Sequence, residues 1–140
     1  NIREYWSRSH DEYKKGLLYS KTGEKAEMAV KHFKHAIEIY PDHAMALEQL
    51  GILTYSGKGV EISNDHAIDY LRRAVGIDPT LEDATLFLAM ALGNQNKIDD
   101  SEYFFKRAIN LDRHKETALS FYGEYLARWG KSDEIERRIK

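Results

Sequence analysis

Several residue types that would indicate particular chemistries are scarce or missing in this sequence. Its 140 residues include no cysteine, which excludes disulfide bonds, thiolate catalysis and cysteine metal sites. No run approaches the roughly 20 apolar residues that a membrane-spanning helix needs. The formal net charge is -2, so the basic excess typical of nucleic-acid-binding proteins is also lacking. The sequence has 2 prolines, and this scarcity favours long helices.

One pattern of small and apolar residues occurs three times along the chain. Each copy has a small residue, then a large apolar residue four positions later and an alanine three positions after that. The three copies are Ala29, Phe33 and Ala36; Ala67, Leu71 and Ala74; and Ser101, Phe105 and Ala108. Positions i, i+4 and i+7 share one face of an α-helix, so each copy predicts a helix that a neighbouring helix can approach closely. Pro41 and Pro79 are predicted to end the first two of these helices.

A second kind of helix alternates with the first. Leu47-x2-Leu50-Gly51 and Leu119-x2-Tyr122-Gly123 share one pattern, and the glycine is favourable where a partner helix crosses at close contact. No sustained period-two alternation predicts a strand. The combined pattern predicts helices over 3–20, 24–40, 43–56, 64–77, 81–93, 98–111, 115–129 and 131–140.

These two alternating helix types resemble tetratricopeptide repeats. In the second repeat the resemblance lies in Leu47, Leu50, Gly51, Ala67, Leu71, Ala74 and Pro79; the first, third and fourth repeats keep part of the same set. The resemblance implies an all-α fold, a right-handed superhelical solenoid of antiparallel helix pairs. It implies a single domain over 1–140 with repeats at about 9–41, 44–79, 82–115 and a truncated 116–140. Such repeats bury their apolar faces against their neighbours.

The second repeat has four extra residues in its turn and is similar to a Sel1-like repeat. The turn contains Gly57 and Gly59, and glycine permits the backbone angles that an irregular turn needs. Thr54 departs from the aromatic residue usual in that family. The resemblance therefore implies a mixed array with one Sel1-like repeat.

The family also implies a concave groove lined by the first helix of each pair. Its matching positions here combine apolar and polar side chains, which suits a peptide or an amphipathic helix of another protein. The groove residues are Tyr13, Leu17, Met45, Glu48, Ile52, Tyr55, Leu86, Met90, Asn94, Glu124 and Arg128. The chain's own terminal helix or a second copy of the protein is an alternative occupant.

A subset of tetratricopeptide-repeat proteins grips a chaperone's C-terminal carboxylate with lysine, arginine and asparagine. The matching positions here lack the cations that such a ligand requires. They are Tyr13, Leu17, Gln49, Asp83 and Phe87 or, one repeat later, Glu48, Ile52, Phe87, Thr117 and Phe121. The sequence therefore predicts a different ligand.

No catalytic or metal constellation is predicted. His32 and His35 are three residues apart on a helix and could present two metal ligands, but Lys31 and Lys34 would oppose a cation. We interpret these histidines as solvated surface residues. Ser56-Gly57-Lys58-Gly59 lacks the full spacing of a phosphate-binding loop, and no serine nucleophile motif occurs.

The sequence accordingly predicts a protein–protein interaction scaffold, not an enzyme, without cofactors or metal ions. Alternatives are a regulatory or targeting module of a larger enzyme and a self-assembly domain that forms a homo-oligomer. Neither a nucleic-acid partner nor membrane insertion is expected, and the cytoplasm is the expected location. The first residue is Asn1 and Lys140 falls within a predicted helix, so we expect the chain to be a fragment of a longer protein.

Overall fold

The computed structural model describes residues 1–21, 25–111, 113 and 115–130. Within this part of the chain every regular element is a helix. The helices are α1 (Ile2–Lys21), α2 (Ala26–Ile39), α3 (Ala44–Ser56), α4 (Asn64–Ile77), α5 (Glu82–Asn94), α6 (Ile98–Asn110) and α7 (Lys115–Arg128). The first seven predicted helices are confirmed within one or two residues at each end, and the predicted helix over 131–140 lies outside the described residues.

The connections between helices follow from local chemistry. Tyr40 and Asp78 each precede a proline and have extended backbone (φ -140° and -134°), which ends α2 and α4. At the start of α4 the Ser63 hydroxyl accepts a hydrogen bond from the amide of His66, and at the start of α3 the imidazole of His43 accepts one from Ala46. Capping residues and prolines therefore place these four helix ends.

The recurring small and large residues form the contact surfaces between helices. Phe33, Leu71 and Phe105 are fully buried, as are Ala36 and Ala74. A Cβ atom added at Gly51 would lie 2.5 Å from Cδ2 of Leu71, and one added at Gly16 would lie 2.5 Å from Cε1 of Phe33. The predicted close crossing at Gly51 is therefore confirmed, and Gly16 makes a second one, because a side chain at either position would collide with the partner helix. The prediction for Gly123 is wrong for the described part of the chain, since a Cβ atom added there meets no described atom within 4 Å.

Helices adjacent in sequence pack against each other throughout the array. In addition α3 contacts α5, and α5 contacts α7, so the first helices of successive pairs form one continuous layer. The second helices, α4 and α6, both pack on α5 from the other side. The all-α solenoid of antiparallel helix pairs is therefore confirmed. None of the described helices combines the length and the apolar character needed to cross a bilayer.

Candidate functional site

The predicted groove residues lie on one layer of helices. Tyr13 and Leu17 belong to α1; Met45, Glu48, Ile52 and Tyr55 to α3; Leu86, Met90 and Asn94 to α5; and Glu124 and Arg128 to α7. We refer to the surface that these residues form on α3, α5 and α7 as the concave surface.

Side chains connect the C-terminal ends of the three helices of the concave surface. Asn94 in α5 donates a hydrogen bond from Nδ2 to the hydroxyl of Tyr55 in α3 at 3.3 Å. Its Oδ1 atom accepts from the hydroxyl of Tyr125 at 2.7 Å and from Nη1 of Arg128 at 3.3 Å. The Arg128 guanidinium also lies over the Tyr125 ring, 4.5 Å from its centroid. Asn94 therefore links α3 to α7 through α5, and this end of the surface is polar.

The middle of the concave surface is apolar and aromatic. The Tyr55 ring meets the Phe87 ring edge-on, with centroids 5.4 Å apart. Ile52 and Tyr55 are partly exposed and pack on the buried core beneath them. Met45 is 38% exposed at the N-terminal end of α3. These side chains can contact a partner without rearrangement of the fold.

Three predicted groove residues are buried and do not form an open lining. Tyr13, Leu86 and Met90 are exposed by only 8%, 7% and 6%. Leu86 and Met90 join the core cluster that contains Phe105 and Tyr122, because α7 covers this side of α5. The Tyr13 ring packs beside Phe33 and His43, and burial raises its pKa. Leu86 and Met90 form the floor of the concave surface, and a direct contact between any of the three residues and a partner stays a prediction.

An acidic group marks the N-terminal end of the concave surface. Glu48 accepts a hydrogen bond through Oε2 from the backbone amide of Ala84 at 3.0 Å, in the first turn of α5. Burial raises the pKa of Glu48 to about 7; this value includes a smaller increase from the nearby carboxylates of Asp83 and Asp78 and the opposing effect of the Ala84 amide. A cavity of about 620 Å³ opens here, lined by Glu48, Thr80, Leu81, Glu82, Asp83, Leu111 and Arg113. Among the described residues that line it, carboxylates outnumber guanidinium groups, which favours a cationic group of a partner.

His32 in α2 is partly buried and not freely solvated, in contrast to the interpretation of the sequence, whereas His35 is exposed as interpreted. His32 Nδ1 lies 2.7 Å from Oε2 of Glu12, and His35 Nδ1 lies 3.4 Å from the same oxygen. The hydrogen bond from His32 is the largest of the effects that lower the pKa of Glu12 to about 2, with Lys15 and His35 adding to it. The histidines thus hold α1 to α2. Within the described ranges no group of three His, Asp or Glu residues is arranged to hold a metal ion.

An aromatic and imidazole stack at the start of α1 was not predicted. The Trp6 indole stacks on the His10 ring at 4.6 Å, and the His10 ring stacks on the His43 ring at 5.3 Å. His43 uses Nδ1 to accept from the Ala46 amide, so its proton lies on Nε2 and is donated to His10 Nδ1 at 3.1 Å. His10 and His43 are 33 positions apart in sequence, and no local pattern signals such a pairing.

Comparisons with known proteins agree with this architecture. A family model described as tetratricopeptide repeat matches residues 13–43, from the middle of α1 to the start of α3. No curated protein matches the sequence. Among solved structures, MamA 41-end from Desulfovibrio magneticus RS-1 is similar with a TM-score of 0.77 and 18% identity, over 94% of this chain and 71% of that chain.

Two further solved structures are similar over almost the whole chain. The MamA RS-1 ArsTM double mutant gives a TM-score of 0.72 at 20% identity, covering 99% of this chain and 83% of that one. The first TPR of Spaghetti (RPAP3), bound to the HSP90 peptide SRMEEVD, gives 0.69 at 14% identity, covering 95% and 94%. The repeat matched at 13–43 and these structural likenesses together give the chain the all-α solenoid fold of tetratricopeptide-repeat proteins.

Proposed function

We propose that this chain is a protein–protein interaction scaffold whose concave surface binds a peptide or an amphipathic helix of another protein. The observation that carries the proposal is the exposure of Met45, Ile52 and Tyr55 on a layer whose floor, Leu86 and Met90, is apolar. Partly exposed apolar side chains in one row suit a helical or extended segment of a partner. The similarity to the Spaghetti (RPAP3) domain, solved with a bound peptide, supports the same use of the fold.

The charge of the surface favours a partner segment with a basic side chain. Glu48 and the exposed Asp83 lie together at the N-terminal end, and Glu82 and Asp83 both line the adjoining cavity. A lysine or arginine placed there would relieve the repulsion between these carboxylates. The Spaghetti (RPAP3) domain binds a peptide that carries three acidic residues, whereas the acidic end of this concave surface would repel such a peptide.

The polar end of the surface would accept a different group. Arg128 is exposed and donates to Asn94, which itself bonds to Tyr55 and Tyr125. A carbonyl or carboxylate of the partner could receive hydrogen bonds from Arg128 while the basic side chain lies near Glu48. The two ends therefore specify the direction in which a segment lies across α3, α5 and α7.

A Sel1-like turn in the second repeat is part of the proposal. Gly57 and Gly59 both have a positive φ, 73° and 72°, within the connection between α3 and α4. A Cβ atom added at Gly59 would lie 2.4 Å from the carbonyl carbon of Ala26, so the connection packs on the start of α2. This contact supports a longer turn with a structural role.

We also propose that this chain does not act as an enzyme. Glu48 has a pKa near neutrality and lines a cavity, which are features of a general base. Its carboxylate, however, already accepts the Ala84 amide at the start of α5 and so has a structural role. A location in the cytoplasm and a role as a targeting module of a larger enzyme stay predictions.

A second candidate function is self-assembly. Ile2, Tyr5 and Trp6 are exposed by 73%, 52% and 44% near the start of α1, and another copy of the chain could cover them. Light scattering coupled to size exclusion over a concentration series separates the candidates. A mass that rises toward a dimer supports self-assembly, and a constant monomer mass leaves the concave surface free for another protein.

Peptide binding tests the leading proposal directly. Fluorescence anisotropy would compare two labelled amphipathic peptides with the same leucine spacing, one with lysine and one with glutamate at the polar positions. We expect the lysine peptide to bind more tightly than the glutamate peptide. Asp83→Lys should weaken the binding of the lysine peptide by about tenfold, since one attractive contact becomes repulsive. Asp69→Lys makes the same charge change at an exposed site on α4 and should have little effect. Equal binding of both peptides, or equal loss in both variants, would contradict the proposal.

A further inference from the structure

The opposite side of the solenoid has a second groove. Helices α4 and α6 both pack on α5 and leave a furrow between them, with a cavity of about 410 Å³. Arg72, Val75, Gly76 and Pro79 line it from α4 and the following turn, and Tyr103, Phe104 and Arg107 line it from α6. We refer to this furrow as the outer groove. It shares no lining residue with the concave surface.

The floor of the outer groove is apolar and open. Val75 and Phe104 are partly buried and pack on the core cluster around Leu71 and Leu88. Tyr103 is 55% exposed, and its ring meets the Phe104 ring edge-on with centroids 5.0 Å apart. A Cβ atom added at Gly76 would meet no described atom within 4 Å, so the missing side chain leaves space at this point. An apolar side chain of a partner can therefore enter between the two helices.

Two guanidinium groups flank this floor, and each makes only long, weak contacts with its neighbours. Arg72 approaches a carboxylate oxygen of Asp100 at 3.9 Å, which is beyond hydrogen-bond distance. Arg107 donates to the Tyr103 hydroxyl at 3.4 Å, and its guanidinium lies 5.9 Å from the centroid of that ring. Both groups retain donors that could form shorter hydrogen bonds with a carboxylate, and guanidinium geometry favours such paired contacts.

We propose that the outer groove binds a segment of a partner protein in which an acidic side chain lies beside an apolar one. The apolar side chain packs on Val75, Pro79 and Phe104, and the carboxylate lies near both Arg72 and Arg107, which line the same cavity. The apolar floor favours a polypeptide over a nucleic acid, whose binding rests mainly on phosphate contacts, and the chain as a whole carries a formal net charge of -2. The chain would then bind two partners at once, a basic segment on the concave surface and an acidic segment on the outer groove.

Selection from a phage-displayed library of random peptides tests this inference, with the wild-type chain as target and Arg107→Glu for counter-selection. We expect enriched sequences to contain aspartate or glutamate next to leucine, isoleucine or phenylalanine. The absence of any enrichment that depends on Arg107 would overturn the inference, as would enrichment of sequences without acidic residues.

Anisotropy of the most enriched peptide, synthesised with a label, then locates the contact. Arg72→Glu and Arg107→Glu should each weaken binding by about tenfold or more, whereas Arg73→Glu should change it by less than about twofold. Arg73 follows Arg72 directly, is exposed and does not line the cavity, so it controls for the change in net charge. Circular dichroism confirms that each variant is folded. An equal loss in all three variants would show non-specific charge attraction and refute the groove.

Three further measurements distinguish an acidic peptide from different occupants of the outer groove. The lysine peptide used for the concave surface should leave binding of the acidic peptide unchanged; competition between the two would refute a separate site. If a labelled single-stranded oligonucleotide binds more tightly than the peptide, and its binding depends on Arg107, the outer groove is a nucleic-acid site instead. A concentration-dependent mass that Arg107→Glu abolishes would identify a second copy as the occupant. Either of these last two results would overturn the proposed partner.

Discussion

Glu48 in α3 accepts a hydrogen bond from the backbone amide of Ala84 in α5 at 3.0 Å. Leu81, the residue just before α5, provides no side-chain cap. Glu48 therefore supplies the hydrogen-bond partner for one of the free amides in the first turn of α5. Its carboxylate is partly buried near Asp78 and Asp83, and its pKa rises to about 7 from a usual value of 4.5. Glu48 therefore joins two repeats, but its ionised form destabilises the folded state.

The first prediction concerns the pH dependence of this contact. A carboxyl group with a raised pKa in the folded state binds more protons there than in the unfolded state, so its contribution to stability is full below about pH 4.5 and falls as the pH rises through 7. Glu48→Gln keeps an oxygen that accepts the Ala84 amide and removes the charge. We expect it to be more stable than the wild type at pH 8 by about 1–3 kcal/mol, allowing for partial exposure.

Urea unfolding of both proteins at pH 4.5, 6 and 8 measures this difference. Subtracting the two curves removes the titration of groups that they share, including His43, whose effect in this range has the opposite sign. The free-energy difference should grow with pH. A difference that is constant over this range would show that the Glu48 charge has no role.

The second prediction contrasts two glycines in helices. Gly51→Ala places a Cβ 2.5 Å from Leu71 Cδ2, so the α3 and α4 helices must separate or Leu71 must leave its rotamer. We expect a loss of about 1–3 kcal/mol in the free energy of unfolding. Gly76→Ala adds a Cβ in open space in the last turn of α4, and we expect a gain of about 0.5–1 kcal/mol from helix propensity. Thermal melts compare both variants with the wild type. A loss of stability of similar size in both variants would contradict the prediction that Gly51 is closely packed and Gly76 is not.

The sequence could predict the fold because each repeat encodes its own contacts. Ala36 and Phe33 show why: their spacing places them on one face of α2, and both are fully buried where α1 and α3 pack. Proline after Tyr40 and Asp78 determines the ends of α2 and α4 through the extended backbone of the preceding residue. Such local signals do not depend on distant contacts.

The candidate site was less predictable, because exposure depends on neighbouring repeats. Leu86 and Met90 occupy positions matching Glu48 and Ile52 of the preceding repeat, yet they are buried because α5 has α3 and α7 on its two sides. The pairing of Glu12 with His32 also escaped prediction, since these residues are 20 positions apart and lie on different helices. The helix pattern alone does not indicate which side chains meet across two helices.

The third prediction uses that pairing at acid pH. Hydrogen bonds from His32 and the neighbouring Lys15 hold the pKa of Glu12 at about 2, below its usual 4.5. A carboxyl group of this kind binds fewer protons when the chain is folded, so its stabilisation is complete above about pH 4.5 and is lost as the pH falls toward 2. Glu12→Gln should reduce stability at pH 6 by about 1 kcal/mol, as expected for a partly exposed charged contact, and much less at pH 3.

Denaturant unfolding at pH 3, 4.5 and 6 tests this third prediction. Asp11→Asn is a matched control, because Asp11 is exposed on the same helix turn, and its side chain meets Lys14 at 3.6 Å in solvent. We expect a smaller loss in the control at every pH. If the Glu12 variant lost the same stability at pH 3 as at pH 6, the pKa of Glu12 could not be low in the folded state.

The fourth prediction concerns His43, which is only 3% exposed and begins α3. Burial lowers its pKa, and the adjacent His10 lowers it further. A base with a lowered pKa binds fewer protons when folded, so its stabilisation is present above about pH 6.5 and decreases as the pH falls below that value. Protonation would also place a hydrogen on Nδ1, which could then no longer accept the Ala46 amide.

His43→Asn keeps a side-chain acceptor for the Ala46 amide and removes the titration. We expect its stability to change less between pH 7 and pH 5 than that of the wild type, so that the difference between the two proteins narrows or reverses as the pH falls. His43→Ala removes the acceptor as well and should cost a further amount of about 1 kcal/mol, the usual value for a lost helix cap. Guanidinium melts at pH 5, 6 and 7 distinguish the two effects: the cap loss is independent of pH, whereas the titration is not. Parallel curves for the wild type and His43→Asn would mean that the stack of Trp6, His10 and His43 tolerates the charge.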